Sequence, residues 1–170
     1  MLIVISGLPG TGKTSVSRAL ARHLRAFHLR IDTIEFALAS SESQSVGVAG
    51  YVVAYAVAAD ALRQGLPVIA DCVNPLAITR NAWREIAKSA ATDIIEVEIV
   101  CSALIEHRRR VETRVSDIPG LGLPSWQDVL NREYEPWDRQ PIVLDTAHLP
   151  AEECALRLMD MLEKRTGGGQ

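Results

Sequence analysis

At 170 residues, 48% of them hydrophobic and 23% charged, the chain is long enough to bury one ordinary core without disulfides or a structural metal. A net charge of -3 argues against a protein whose main task is to coat nucleic acid, although a local basic groove stays open. Cys72, Cys101 and Cys154 are odd in number and in no ligand-type spacing, which argues against a disulfide framework or a zinc site and suits a reducing cytoplasm.

Leu2 to Ile5 is an apolar run with the character of a buried strand, and it leads directly into G-L-P-G-T-G-K-T at Gly7 to Thr14. This fills the phosphate-loop pattern of Gly, four residues, Gly, Lys and Thr. Gly7, Gly10 and Gly12 let backbone N–H groups turn inward, with Leu8, Pro9 and Thr11 completing the cradle and Ser15 following it. Lys13 would reach β- and γ-phosphate oxygens, and the Thr14 hydroxyl would coordinate Mg²⁺. Lys13 to Arg25 carries Val16, Leu20 and Leu24 at helical spacing, so the phosphates would lie at a helix N-terminus. No basic-then-apolar leader precedes the strand, so a cytoplasmic location is expected.

A second strand is expected over Ala26 to Ile31 and a helix over Thr33 to Ala39. Asp32, just past that strand, is placed to orient an acceptor hydroxyl or take its proton, or else to cap the helix starting at Thr33. Glu35, one turn later, faces the same way and would bind substrate or stay in solvent. Val46 to Gln64 is apolar and rich in small residues, too short for a bilayer, and is expected to be a buried helix. Tyr51 and Tyr55 lie one turn apart on it, to pack in the core or to wall a substrate cavity.

The third strand, Pro67 to Ala70, runs into Asp71, which would hold the Mg²⁺ shell or bond Thr14 through water, or else form a turn before Asn74 and Pro75. On the next helix, Leu76 to Ala90, Arg80 would join Asn74 in a polar wall, while Trp83 would pack. A strand over Ile94 to Val100 and a helix over Ala103 to Val111 follow. The helix ends in Arg108, Arg109, Arg110 and then Arg114, before a Pro/Gly-rich stretch to Pro124 that is expected to be an exposed mobile loop. Such cations suit a lid over about 106–125 that closes on a triphosphate, with Arg108 and Arg114 as catalytic cations and Arg109 on the nucleotide; a solvated helix end is the alternative. His107 is expected on the surface. A helix over Trp126 to Tyr134, a strand over Pro141 to Leu144 and a helix over Ala151 to Lys164 complete the chain, with Thr166 to Gln170 as a disordered end. The groups between Arg132 and Asp138 would grip substrate or cap the lid.

This βα alternation predicts a single α/β domain with a mostly parallel five-stranded sheet covered on both faces, and a ligand site beyond the carboxyl ends of its strands. With the phosphate loop, Asp32, Asp71 and the arginines in view, the chain resembles the small P-loop kinases of the nucleoside-monophosphate-kinase-like fold. I-D-T-I-E-F-A-L is similar to the acceptor-orienting segment of chloramphenicol phosphotransferase, and D-C-V-N-P with Arg80 downstream is similar to a segment of polynucleotide-kinase-like proteins. G-L-P-V-I-A-D-C-V-N-P-L-A-I-T-R is similar to a segment of adenylylsulfate kinases, whose D-G-D-N-x-R signature this chain lacks. L-D-T at Leu144 to Thr146 resembles the segment that borders adenine. The resemblance implies ATP with Mg²⁺ and a small-molecule hydroxyl acceptor; the acidic charge and the lack of an aromatic-basic stacking platform count against a nucleic-acid partner, the length of the apolar segment counts against a membrane, and a homodimer stays open. A polynucleotide 5′-hydroxyl kinase and a nucleotide-binding regulatory ATPase are the rival readings.

Overall fold

The computed structural model describes residues 1–41 and 48–167, with side chains described to residue 164. Five parallel strands, β1 (Leu2–Ser6), β2 (Phe27–Arg30), β3 (Val68–Asp71), β4 (Ile94–Val100) and β5 (Ile142–Asp145), form one sheet in the order β2-β3-β1-β4-β5. The helices are α1 (Lys13–Leu24), α2 (Ile31–Ser41), α3 (Ala49–Arg63), α4 (Ala77–Ser89), α5 (Leu104–Thr113), α6 (Trp126–Leu130) and α7 (Ala151–Gly167).

The period-two alternation of a strand builds the three layers. On central β1, Ile3 and Ile5 face a core shared with Val16 and Leu20 of α1 and Leu158 of α7. Leu2 and Val4 face the opposite core, with Ala54, Ala58, Ala61 and Leu62 of α3 and Trp83 of α4. Both faces are therefore covered, as a continuous apolar run such as Leu2-Ile3-Val4-Ile5 requires. The strand ends place Ser6, Arg30, Asp71, Val100 and Asp145 along one edge, with Ile5 and Arg30 both in register with Asp71.

Several expectations change. The α3 segment is not buried all round: Ala54, Ala58 and Ala61 let the helix approach the sheet and Gly50 lies against Glu35 of α2, while Val52, Val53 and Val57 are exposed. Residues 46 and 47 of that expected helix lie outside the described residues. No helix among the described residues is long and apolar enough to cross a membrane. α2 begins at Ile31, so Asp32 stands in its first turn rather than capping it. α6 ends at Leu130 rather than Tyr134. It opens on a capping box between Ser125 and Asp128. At the C-terminus, Thr166 and Gly167 continue α7, and residues 168–170 lie outside the described ones.

Beyond α6 the chain wraps around Arg80. This side chain is fully buried, and its guanidinium donates to the carbonyls of Asn74, Pro75, Glu135 and Pro136 at 2.8–3.1 Å while stacking on Trp137 at 4.2 Å. Arg80 is thus a clamp between two loops and not part of a cavity wall. Its replacement by Met would strand buried acceptors, so Arg80→Met should lower unfolding free energy by about 3–5 kcal/mol. In thermal denaturation this reads as a Tm lower by on the order of 10 °C.

Candidate active site

The phosphate-loop segment turns between β1 and α1 as its glycines dictate. Gly10 has φ +83°, and a Cβ there would collide with Val111 Cγ2 of α5, so the position needs glycine both for its conformation and for its neighbour. α1 begins after Gly12 with no side-chain cap, which leaves its first-turn N–H groups for a ligand. Lys13 is buried in the loop. His107, expected on the surface, is instead 7% exposed: its Nε2 lies 2.8 Å from the Pro9 carbonyl and its ring meets Trp126 edge-on. Thr146, after β5, donates to the Thr11 carbonyl at 2.6 Å. These contacts hold the loop from outside, as a preorganised anion cradle requires.

Asp71 lies beneath the loop, 2% exposed. Burial pushes its pKa up, but His28 Nε2 at 3.2 Å, the Lys13 charge and the Thr14 hydroxyl together hold it below the usual carboxylate range. It therefore stays anionic behind Thr14. The Thr14 hydroxyl and the Asp71 carboxylate are oxygen donors of the kind that would suit a magnesium ion, which keeps most of its water and needs few protein ligands. No cluster of three or more His, Cys, Asp or Glu suited to a metal occurs among the described residues.

A cavity of about 520 Å³ opens in front of the loop. Of the expected residues it is lined by Pro9, Gly10, Gly12, Lys13, Thr14, Ser15, Asp32, Glu35 and Arg114. Gly7, Leu8, Thr11 and Asp71 are not among its lining residues. The arginine assignments change. Arg108 pairs with Glu112 at 2.8 Å and Arg109 with Glu106 at 2.7 Å on the exposed side of α5, while Arg110 and Arg114, four residues apart, both line the cavity. Arg110 also grips the Thr146 hydroxyl and carbonyl at 2.9 Å.

Tyr51, Tyr55, Asn74 and Arg80 are not among the lining residues. Tyr55 packs on Trp83, with ring centroids 4.6 Å apart, and donates to the Thr79 carbonyl, so both tyrosines serve the core face. Asn74 adopts φ +51° and bonds Ser6 Oγ at 3.0 Å, while its N–H donates to Tyr51 Oη at 2.9 Å; it builds the turn after β3. Trp83 is fully buried, as expected for packing. The Arg132–Asp138 stretch divides. Arg132 lines the cavity, whereas Tyr134 bonds Glu98 and Trp137 covers Arg80.

Arg18, Arg30 and, from within the expected lid, Asp117 also line the cavity, although none of them was an expected site residue. The Asp117 carboxylate takes both oxygens to Arg30 Nη1 at 2.9 and 3.0 Å and also pairs with Arg18, so the 114–124 segment lies over the cavity and ties to α1 and β2. Arg30 Nη2 is 3.5 Å from Asp32 Oδ2. Glu35 lies against Gly50, where a Cβ would collide with it; burial, then the Asp32 charge, push its pKa up against the pull of Arg132.

Hydrogen bonds from Arg18, then Arg30, lower the Asp117 pKa to about 2. A depressed carboxylate stabilises the fold above its unfolded pKa, about 3.9, and that contribution disappears as pH falls towards 2. The stability difference between the parent and Asp117→Asn should be constant from pH 5 to 8 and vanish below about pH 2. Urea denaturation across that range checks it.

Residues 2–120 match the family described as AAA domain. Among solved structures, the APS kinase CysC of Mycobacterium tuberculosis, in complex with AMPPNP and APS, is 21% identical over 95% of this chain and 96% of that one, with a TM-score of 0.71. A gluconokinase from Sinorhizobium meliloti 1021 is 21% identical over 99% and 97%, TM-score 0.66. Chaetomium thermophilum Kti12, in complex with ADP-AlF3, is 23% identical over 96% and 98%, TM-score 0.65. Likeness at this identity speaks to the fold, which is that of the P-loop, nucleoside-monophosphate-kinase-like proteins.

Proposed function

The chain belongs to the AAA domain family, and we propose that it is an ATP- and Mg²⁺-dependent kinase that moves a phosphoryl group to a hydroxyl of a small-molecule acceptor. The observation that carries this reading is one cavity lined at once by the loop groups Lys13 and Thr14 and by Asp32, in the first turn of α2, with Arg114. A hydrolase needs only the first half, because water requires no shaped acceptor pocket. ATP supplies the γ-phosphoryl group and the ADP leaving group.

Loop N–H groups and Lys13 neutralise phosphate charge, and Thr14, backed by Asp71, holds the metal. Asp32 accepts the hydrogen bond of the acceptor hydroxyl and takes its proton as the new O–P bond forms. Arg114, half-buried with Nε and Nη2 unpartnered among the described residues, supplies charge to the transferring group. The 114–124 segment acts as the lid, excluding water so that these interactions strengthen.

The test is a coupled ATP-consumption screen over alcohols, sugars, hydroxy acids, nucleosides, antibiotics and 5′-hydroxyl oligonucleotides. One small-molecule class should accelerate ATP use, with phosphorus NMR identifying an ester product. ATP consumption that no hydroxyl compound accelerates would support a regulatory ATPase instead, and stimulation by oligonucleotides alone a polynucleotide kinase.

A further inference from the structure

We infer that the acceptor carries an anionic oxyacid group, carboxylate or phosphate, which binds between Arg18 and Arg30 in the place the Asp117 carboxylate takes when the lid is closed without acceptor. This rests on the kinase reading for its consequences, though not for its first test.

The charge balance at this end of the cavity is the starting point. Arg18, Arg30, Arg114 and Arg132 face Asp32, Glu35 and Asp117. Arg30 is 12% exposed at its side chain, and its Nε has no partner among the described residues, as is true of Nε and Nη2 of Arg114. Burial, with the neighbouring Arg30 charge, disfavours the charged form of Arg114. Guanidiniums this close, partly desolvated and short of acceptors, are stable only around an anion. Besides Asp32, which Arg30 meets at 3.5 Å, the anion now present is Asp117, gripped by both oxygens from Arg30 and by Arg18. Asp32 is fixed in the first turn of α2, whereas Asp117 comes from a segment without helix or strand, beside a Val115 that is 91% exposed. Asp117 is therefore the replaceable partner.

A carboxylate or phosphate can bring two oxygens to Arg30 Nη1, as Asp117 does, and a charge-assisted acceptor to Arg18 as well. A neutral polyol that displaced Asp117 would leave Arg30, 12% exposed, with the longer contact to Asp32 and no acceptor at Nη1. With Arg30 Nη2 3.5 Å from Asp32, the oxyacid group and the reacting hydroxyl are neighbours within one small molecule.

The first test fills the phosphate loop with a non-hydrolysable ATP analogue and Mg²⁺, then titrates malonate, inorganic phosphate or glycerol while Tm is followed. Malonate or phosphate should raise Tm by a few degrees and glycerol should not. Arg30→Met and Arg18→Met should each abolish that rise, and Asp117→Asn should shift the midpoint to at least fivefold lower anion concentration. The malonate and phosphate arms separate the two oxyacid classes. No anion response in the parent, or a response unchanged in both arginine variants, overturns the inference whatever becomes of the kinase reading.

The second test compares kcat/KM for glycerate and glycerol 3-phosphate with glycerol, and for aldonates and sugar phosphates with neutral sugars. The charged members should be favoured at least a hundredfold, and Arg30→Met should raise acceptor KM at least tenfold with ATP KM moving less than threefold. Equal use of neutral acceptors overturns the inference and leaves the kinase reading standing. An ATP KM that rises as much as the acceptor KM assigns these arginines to the triphosphate and overturns it too.

Discussion

Lys13→Met should reduce phosphoryl transfer by about a thousandfold or more, because one cation that tracks the phosphate charge into the transition state is lost from a site that excludes water. The fold should survive. Lys13 is buried beside Asp71, and Met fills a similar volume without a charge to desolvate. Asp71 then loses one of the groups that depress its pKa, but keeps the His28 hydrogen bond and the Thr14 hydroxyl. Circular dichroism should therefore overlay the parent, with Tm within a few degrees. Single-turnover measurements with saturating ATP locate the loss in the chemical step. Transfer within a factor of ten of the parent would remove the loop from catalysis.

Asp32→Asn should lower transfer to the acceptor by about a hundredfold to ten-thousandfold, while the dissociation constant for ATP changes by less than about threefold. Asn retains the shape and can still accept a hydrogen bond, so the substitution isolates the charge and the proton-accepting step. It also removes a counterion from Arg30 and Arg114, both of which feel the Asp32 charge. Acceptor KM should consequently stay level or fall as kcat collapses. Equal loss of ATP binding and transfer would mean that Asp32 organises the first turn of α2 rather than the reaction.

Much of the frame is legible along the chain because it rests on local rules. The apolar run Leu2 to Ile5, the glycine spacing and the period of α1 each act within a dozen residues, and strand and helix types follow from them throughout. The β-alternation also predicts which end of the sheet carries Asp32 and Asp71. Boundaries drift where tertiary contacts overrule propensity: α6 stops at Leu130 because the following residues are drawn onto Arg80 and Glu98.

The cavity was less legible. The arginine run after β4 announces cations near a lid, and the 100° step per helical residue already implies that Arg110 and Arg114 share a face that Arg108 does not. Which face meets the loop depends on how α5 packs, with Gly10 against Val111 and His107 under Pro9. His107 and Arg80 carry polar groups of the kind that usually face water, yet both are buried because backbone carbonyls from distant loops satisfy them. Arg30 offered a weak signal, two residues before Asp32 at a strand end. Asp117 offered none, since its partners lie 99 and 87 residues away.

The sequence by itself therefore determined a parallel α/β fold and a phosphate cradle at the start of α1, because both arise from residue size, period and backbone conformation over short spans. Tertiary structure alone decided the end of the cavity away from the loop: which arginines converge, that Asp117 lies between two of them, and that Arg80 and His107 hold loops in place. Charge and hydrogen-bond balance in a desolvated cavity depends on groups brought together from α1, β2, α2 and the 114–124 segment, and no local pattern encodes their meeting.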